Sequence, residues 1–161
     1  MYSKGEKHYT RDEALEKLRK FCDYQDRCQK DVWDKLIELG INPDIANEII
    51  VTLIKEQFID EERFARAYVR GKFKHNHWGR QKIEQGLKTK NIHPNLVNLA
   101  LQEIDDHQYR EQLRSLLQKK RPQIKPKNQY DLKAKMARFL IGKGYESVLV
   151  WEMINEEIQG D

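Results

Sequence analysis

Long apolar runs, catalytic motifs and cysteine are what this chain most lacks, and each absence removes a class of function. The longest apolar stretches are Ile49-Ile50-Val51 and Val148-Leu149-Val150-Trp151. A membrane helix needs roughly 20 such residues. The segment from Met1 to Arg11 is polar, unlike a secretory leader, so the expected location is the cytoplasm. The two cysteines, Cys22 and Cys28, make no Cys-x-x-Cys and no zinc-spaced set with histidine. In a cytosolic chain both are expected as reduced thiols.

Catalytic signatures are missing as well. Gly142-Lys143-Gly144 lacks the flanking spacing of a phosphate-binding loop, and neither Gly-x-Ser-x-Gly nor His-Glu-x-x-His occurs. The acid pairs Asp105-Asp106 and Glu156-Glu157 are sequence neighbours, which a helix splays by roughly 100° rather than aims at one substrate. His75 and His77 flank a turn before Trp78 without a third ligand, and a metal needs more than two. The expectation is a protein that is not an enzyme and that needs no cofactor or metal.

What is present is charge, at 35% of residues, and helical periodicity. The net charge of +4 hides strong segregation. Residues 62–90 hold nine Lys and Arg against two acids, and residues 110–143 hold eleven against two. Acidic stretches separate and flank them. Two basic blocks set between acidic ones point to a polyanion or an acidic protein surface as partner.

Apolar residues recur at helical spacing: Ala14, Leu15, Leu18, Phe21, Cys22; then Val32, Trp33, Leu36, Ile37; then Ile45, Ala46, Ile49, Ile50, Leu53, Ile54. Each stripe is expected to face a core, with Trp33 and Trp151 inside it. Sustained alternation of period two is missing, so no sheet is expected. Thr10 with Glu13 is a capping-box pattern. Gly40 stands where a helix should end left-handed, and Asn42-Pro43 reads as an N-cap with proline at the first helical position.

This punctuation repeats. Asn91 and His93-Pro94 follow 51 residues on, and Gly144 with Ser147 a further 53 on. Core positions repeat with it: Leu36, Leu87, Leu140; Ile41, Ile92, Tyr145; Ile45, Leu96, Leu149. The reading is all-α, with three tandem three-helix repeats near 9–58, 59–105 and 106–158. They would stack into an elongated, curved right-handed array. Tails are expected at 1–8 and 159–161, and a stiff basic loop from Arg121-Pro122 to Lys125-Pro126.

The second unit reads Phe58-Ile59-Asp60-Glu61-Glu62-Arg63-Phe64-Ala65-Arg66-Ala67-Tyr68-Val69-Arg70, then Trp78-Gly79-Arg80-Gln81-Lys82-Ile83, Leu87 and Asn91-Ile92. This resembles the RecX family, regulators of the bacterial recombinase RecA, over about residues 9–158. Asn91 replaces the family's usual turn glycine, and Arg27-Cys28-Gln29-Lys30 replaces its common Arg-Ser-Glu helix start. The resemblance implies three tandem three-helix repeats. It also implies a non-enzymatic modulator that binds the RecA–DNA filament and typically restrains it. The runner-up is a standalone DNA-binding protein of tandem helix-turn-helix-like units.

Phe64, Ala65, Tyr68 and Val69 have the spacing of a core stripe, and Asp60 that of a helix cap. The partner-facing candidates are cationic. In the first block they are Arg66, Arg70, Lys72, Lys74, Arg80 and Lys82. In the second they are Arg114, Lys119, Lys120, Arg121, Lys133, Lys135 and Arg138, beside Lys125 and Lys127. The bland alternative is a solvated basic face. These residues would meet acidic side chains or phosphates, of single- or double-stranded DNA or of the RecA filament, in a protein expected to be monomeric because no heptad pattern is present.

Overall fold

The computed structural model describes residues 7–159. Among them are nine α-helices and no strand. Unit 1 comprises α1 (Arg11–Tyr24), α2 (Gln29–Glu38) and α3 (Pro43–Lys55). Unit 2 comprises α4 (Glu61–Lys74), α5 (Arg80–Thr89) and α6 (Pro94–Leu101). Unit 3 comprises α7 (Asp106–Lys120), α8 (Gln129–Gly142) and α9 (Ser147–Glu157), with a short 3-10 turn at Arg121–Gln123. The tails expected at 1–8 and 159–161 lie mostly outside the described residues.

Local chemistry explains where these helices begin and end. The Thr10 hydroxyl accepts from Glu13 N–H at 3.1 Å, Asn42 from Asp44 N–H at 2.8 Å, and Asp60 from Arg63 N–H at 2.9 Å. Each satisfies a backbone donor that the first helical turn leaves without a partner. Pro43 and Pro94 open α3 and α6, where their missing N–H costs nothing. Gly40, Asn91 and Gly144 end the middle helices with φ of 79°, 59° and 102°. Left-handed backbone is open to glycine and tolerated by asparagine.

The closely packed helix pairs all lie within a unit. The buried side chains nevertheless form two cores rather than three. One, with Leu18, Leu36, Ile49 and Leu53, belongs to unit 1. The other, with Ile83, Leu87, Leu113 and Leu140, is continuous through units 2 and 3.

The apolar stripes are narrower than their sequence pattern suggests. Ile37, Ile45 and Ile54 stay exposed, because a three-helix unit covers only the centre of each stripe. Trp33 packs against the unit 1 core, but Trp151 does not belong to any core: it is 38% exposed on the outer face of α9. Its equivalents in the other repeats are Asn98 and Asn47, so internal alignment marks the position as an outer one. Cys22 and Cys28 are both free and buried, as expected for reduced thiols.

Gly71 sits inside α4, and a Cβ there would meet nothing within 4 Å. Glycine in a helix interior is destabilising by roughly 0.5–1 kcal/mol relative to alanine. Gly71→Ala is therefore expected to raise stability by about that much in urea denaturation. A loss of stability would show that α4 needs the freedom of glycine at this point.

Candidate interaction surface

The structure divides the thirteen candidate cations into two groups by what they touch. Five are held by carboxylates. Arg66 reaches Glu103 at 2.6 Å and Glu62 at 3.4 Å, and Arg70 reaches the other Glu103 oxygen at 3.4 Å. The hydrogen bond from Arg66, aided by Arg70, holds Glu103 below the ordinary carboxylate range. Arg80 bridges Asp106 and Glu146, the latter at 3.2 Å, with its guanidinium 3.9 Å from the Tyr109 ring centre. Arg114 pairs with Glu111 and with Glu157, the latter at 2.8 Å, and Lys135 with Asp131 at 3.0 Å. Arg66, Arg70, Arg80 and Arg114 thereby tie their helices to other segments of the fold, whereas the Lys135 pair lies within α8. A surface pair is a weak source of stability, but a cation already bound to a carboxylate is a weaker anchor for an outside phosphate.

Lys72, Lys74, Lys82, Lys119, Lys120, Arg121, Lys133 and Arg138 have no carboxylate within 4.0 Å among the described residues. Most of them gather in two places. Lys72 and Lys82 both lie against Trp78, with Nζ 4.8 and 4.6 Å from the ring. Lys143, which the charge pattern alone did not single out, joins this cluster by donating from Nζ to the Asn76 carbonyl at 3.3 Å. One signal could have found it: Lys143 stands in unit 3 where Lys90 stands in unit 2. Lys74, at the end of α4, is exposed nearby in sequence.

The second gathering surrounds the connection between α7 and α8. It carries Lys119, Lys120, Arg121, Lys125 and Lys127. Lys120 covers the Phe139 ring at 4.6 Å, and one Arg121 nitrogen donates to the Glu157 carbonyl at 3.3 Å. The corresponding connection spans residues 121–128 in unit 3, 75–79 in unit 2 and 25–28 in unit 1. In addition α8 has 14 residues, whereas α2 and α5 have 10 each. Units 1 and 2 complete the same three-helix arrangement without the extra length, so packing does not require it. Pro122 and Pro126 stiffen the insertion, and Tyr130 stands just after it with 83% of its surface exposed. Lys133 contacts Asn155 at 3.2 Å, and Arg138 is exposed on α8.

A polar network fixes the first gathering in place. The Tyr109 hydroxyl accepts from Arg80 N–H at 3.0 Å and donates to Glu146. The Tyr145 hydroxyl accepts from Gln112 at 2.7 Å and donates to the His77 carbonyl at 3.0 Å. Burial pushes the Tyr145 phenol up to about 12, so it stays a neutral donor. His77 also approaches Gln112 at 3.4 Å. Phe73, Tyr109 and Tyr145 pack in series beneath, the first pair stacked and the second tilted, with ring centres 6.2 and 5.1 Å apart. The turn carrying Trp78 is thus tied to unit 3.

The fold is shared with known proteins. A model described as "RecX, second three-helix domain" matches residues 60–101, and one described as "RecX, third three-helix domain" matches residues 107–154. The chain is 29% identical over 145 residues to the regulatory protein RecX of Clostridium tetani, covering 88% of this chain and 66% of that one. It is 24% identical over 136 residues to the regulatory protein RecX of Bacillus mycoides, covering 84% and 50%. It thus spans half to two thirds of the length of these curated relatives. The crystal structure of RecX from Lactobacillus salivarius superposes with a TM-score of 0.79 at 27% identity, covering 91% of this chain and 95% of that one. The two family models together match more than half of the sequence, and the chain belongs to the RecX family.

Proposed function

We propose that this chain is a non-enzymatic regulator that binds the RecA nucleoprotein filament and restrains RecA's ATPase and recombinase activity in DNA recombination and repair. Its relatives carry the name regulatory protein RecX. The observation that carries the reading to this chain is the gathering of carboxylate-free cations in units 2 and 3, at Lys72, Lys82 and Lys143 and along the 121–128 connection. In this reading repeats near 9–58, 59–105 and 106–158 act in one cytoplasmic monomer, and the free cations of the second and third meet the acidic filament. The ion-paired Arg66, Arg70, Arg80 and Arg114 act by holding the helices that present them, and Lys135 by its pair within α8. A bound regulator shifts the filament only by its differential affinity for the filament's states.

The test is RecA's single-stranded-DNA-dependent ATP hydrolysis with and without this chain, at two salt concentrations. Suppression at substoichiometric amounts, weaker at the higher salt, is the expected result. No effect on hydrolysis at either salt would sink the reading.

A second reading, direct binding to DNA without RecA, is favoured by one feature: the lysine-rich insertion beside exposed Tyr130. Bases stack on aromatic rings while lysines follow the phosphates. A plain DNA binder should hold naked DNA at least as tightly as the filament, so the two affinities separate the readings.

A further inference from the structure

Units 1 and 2 meet at the same places as units 2 and 3, but through different chemistry. At each joint the start of one middle helix approaches the end of the next unit's middle helix. Cys28 corresponds to Gly79, Asp31 to Lys82, Lys90 to Lys143 and Asn91 to Gly144.

Between units 2 and 3 the backbones bond directly. Gly79 N–H donates to the Lys143 carbonyl at 2.8 Å, and Gln81 N–H to the Gly144 carbonyl at 2.9 Å. The core is also continuous beneath them. Between units 1 and 2, no backbone–backbone hydrogen bond joins Cys28 or Gln29 to the Lys90–Asn91 turn among the described residues. Charged side chains hold that joint instead. Lys90 bonds Asp31 at 2.6 Å, Arg63 bonds Asp26 at 2.7 Å, and Gln29 N–H donates to one Glu61 oxygen at 2.9 Å.

The other Glu61 oxygen is buried without a partner, and burial raises the affinity of this carboxyl for a proton. Among the described residues, Cys28 is the sole one of unit 1 in the larger core. Solvent-open clefts of about 550 and 730 Å³ flank the joint on its two sides.

Hydrogen bonds between backbones that share a core open only when that core is lost. Partly exposed ion pairs are screened by salt and contribute little once screened. Two bodies joined mainly through polar side chains, with Cys28 the apolar side chain set into the larger core, move relative to each other by default. We propose that units 2 and 3 form one rigid body, and that unit 1 swings on it at a salt-labile joint made by Asp31–Lys90, Asp26–Arg63 and the Glu61 carboxylate. This holds whether or not the filament reading does. It would let one end of the protein stay engaged while the other changes position.

The full chain tests this by distance measurements between pairs of spin labels. One pair, at Lys20→Cys and Gln85→Cys, spans the first joint. The other, at Gln85→Cys and Gln118→Cys, spans the second. All three positions are exposed, while Cys22 and Cys28 are buried with thiols pushed up to about 11 and about 12, so they label poorly. Raising salt from about 0.05 M to about 0.5 M should widen the first distance distribution about twofold and leave the second unchanged, with helical circular dichroism constant. Lys90→Met should widen the first pair at low salt. If that variant does not fold, the salt series on the labelled chain still decides. Equal behaviour of both pairs, or widening of the first with loss of helicity, overturns the proposal.

Discussion

Gly144→Ala is expected to cost about 3 kcal/mol or more and to lower the melting temperature by about 10 °C. Two effects combine. The position has a φ of +102°, which a side chain adopts only with strain, and a Cβ there would lie within 3.0 Å of both Lys82 Cβ and Lys82 N. Neither neighbour is the far end of a flexible chain, so α5 itself would have to move. Gly79→Ala faces the same obstacle from the other side: its Cβ would press within 3.0 Å of the Gly144 carbonyl and Tyr145 N.

Gly40 is the internal control. It holds the same turn position with φ +79°, but nothing lies within 4 Å of a Cβ there. Gly40→Ala should therefore cost only the left-handed penalty, about 1 kcal/mol. Gly144→Asn separates the two effects, since Asn91 already holds the equivalent turn in unit 2. It should relieve the backbone strain and keep the clash. Thermal denaturation of the four variants checks the order. If Gly144→Ala were no worse than Gly40→Ala, the close approach of units 2 and 3 would not exist in solution.

Reversing Lys119, Lys125 and Lys127 to glutamate is expected to weaken suppression of RecA on the order of a hundredfold at low salt, with little change in stability. The proposed binding is to phosphate or acidic side chains, and among the described residues these three side chains have no carboxylate within 4.0 Å, although Lys127 also acts by charge on Asp131. Each phosphate of a single strand that a lysine no longer neutralises lowers the salt dependence by about 0.7 in log–log slope, so the slope of the triple variant should fall by about 2. Titrating RecA hydrolysis at two salts reads both quantities. Unchanged suppression at both would make the insertion a solvated loop. Reversal of Arg66 and Arg70 is a poorer probe, because it also sets like charges against Glu103 and Glu62.

The amino-acid sequence by itself determined the helices, their caps and their threefold repetition. Those features are set by groups three or four residues apart, such as Thr10 with Glu13 or Asp60 with Arg63, and by backbone preference at Gly40, Asn91 and Gly144. Only the tertiary structure decided which cations are free. Glu103 lies 37 residues from Arg66, and Glu146 lies 66 from Arg80. A local charge count through residues 62–90 does not contain these acids.

The same holds for the two joints. Equivalent sequence positions hold Cys28 and Asn91 at one and Gly79 and Gly144 at the other. Whether backbones touch there depends on two segments more than 60 residues apart meeting at hydrogen-bonding distance. Repeat periodicity shows that the units stack. The side-chain volume where they meet sets how closely, and that is a property of the assembled surfaces.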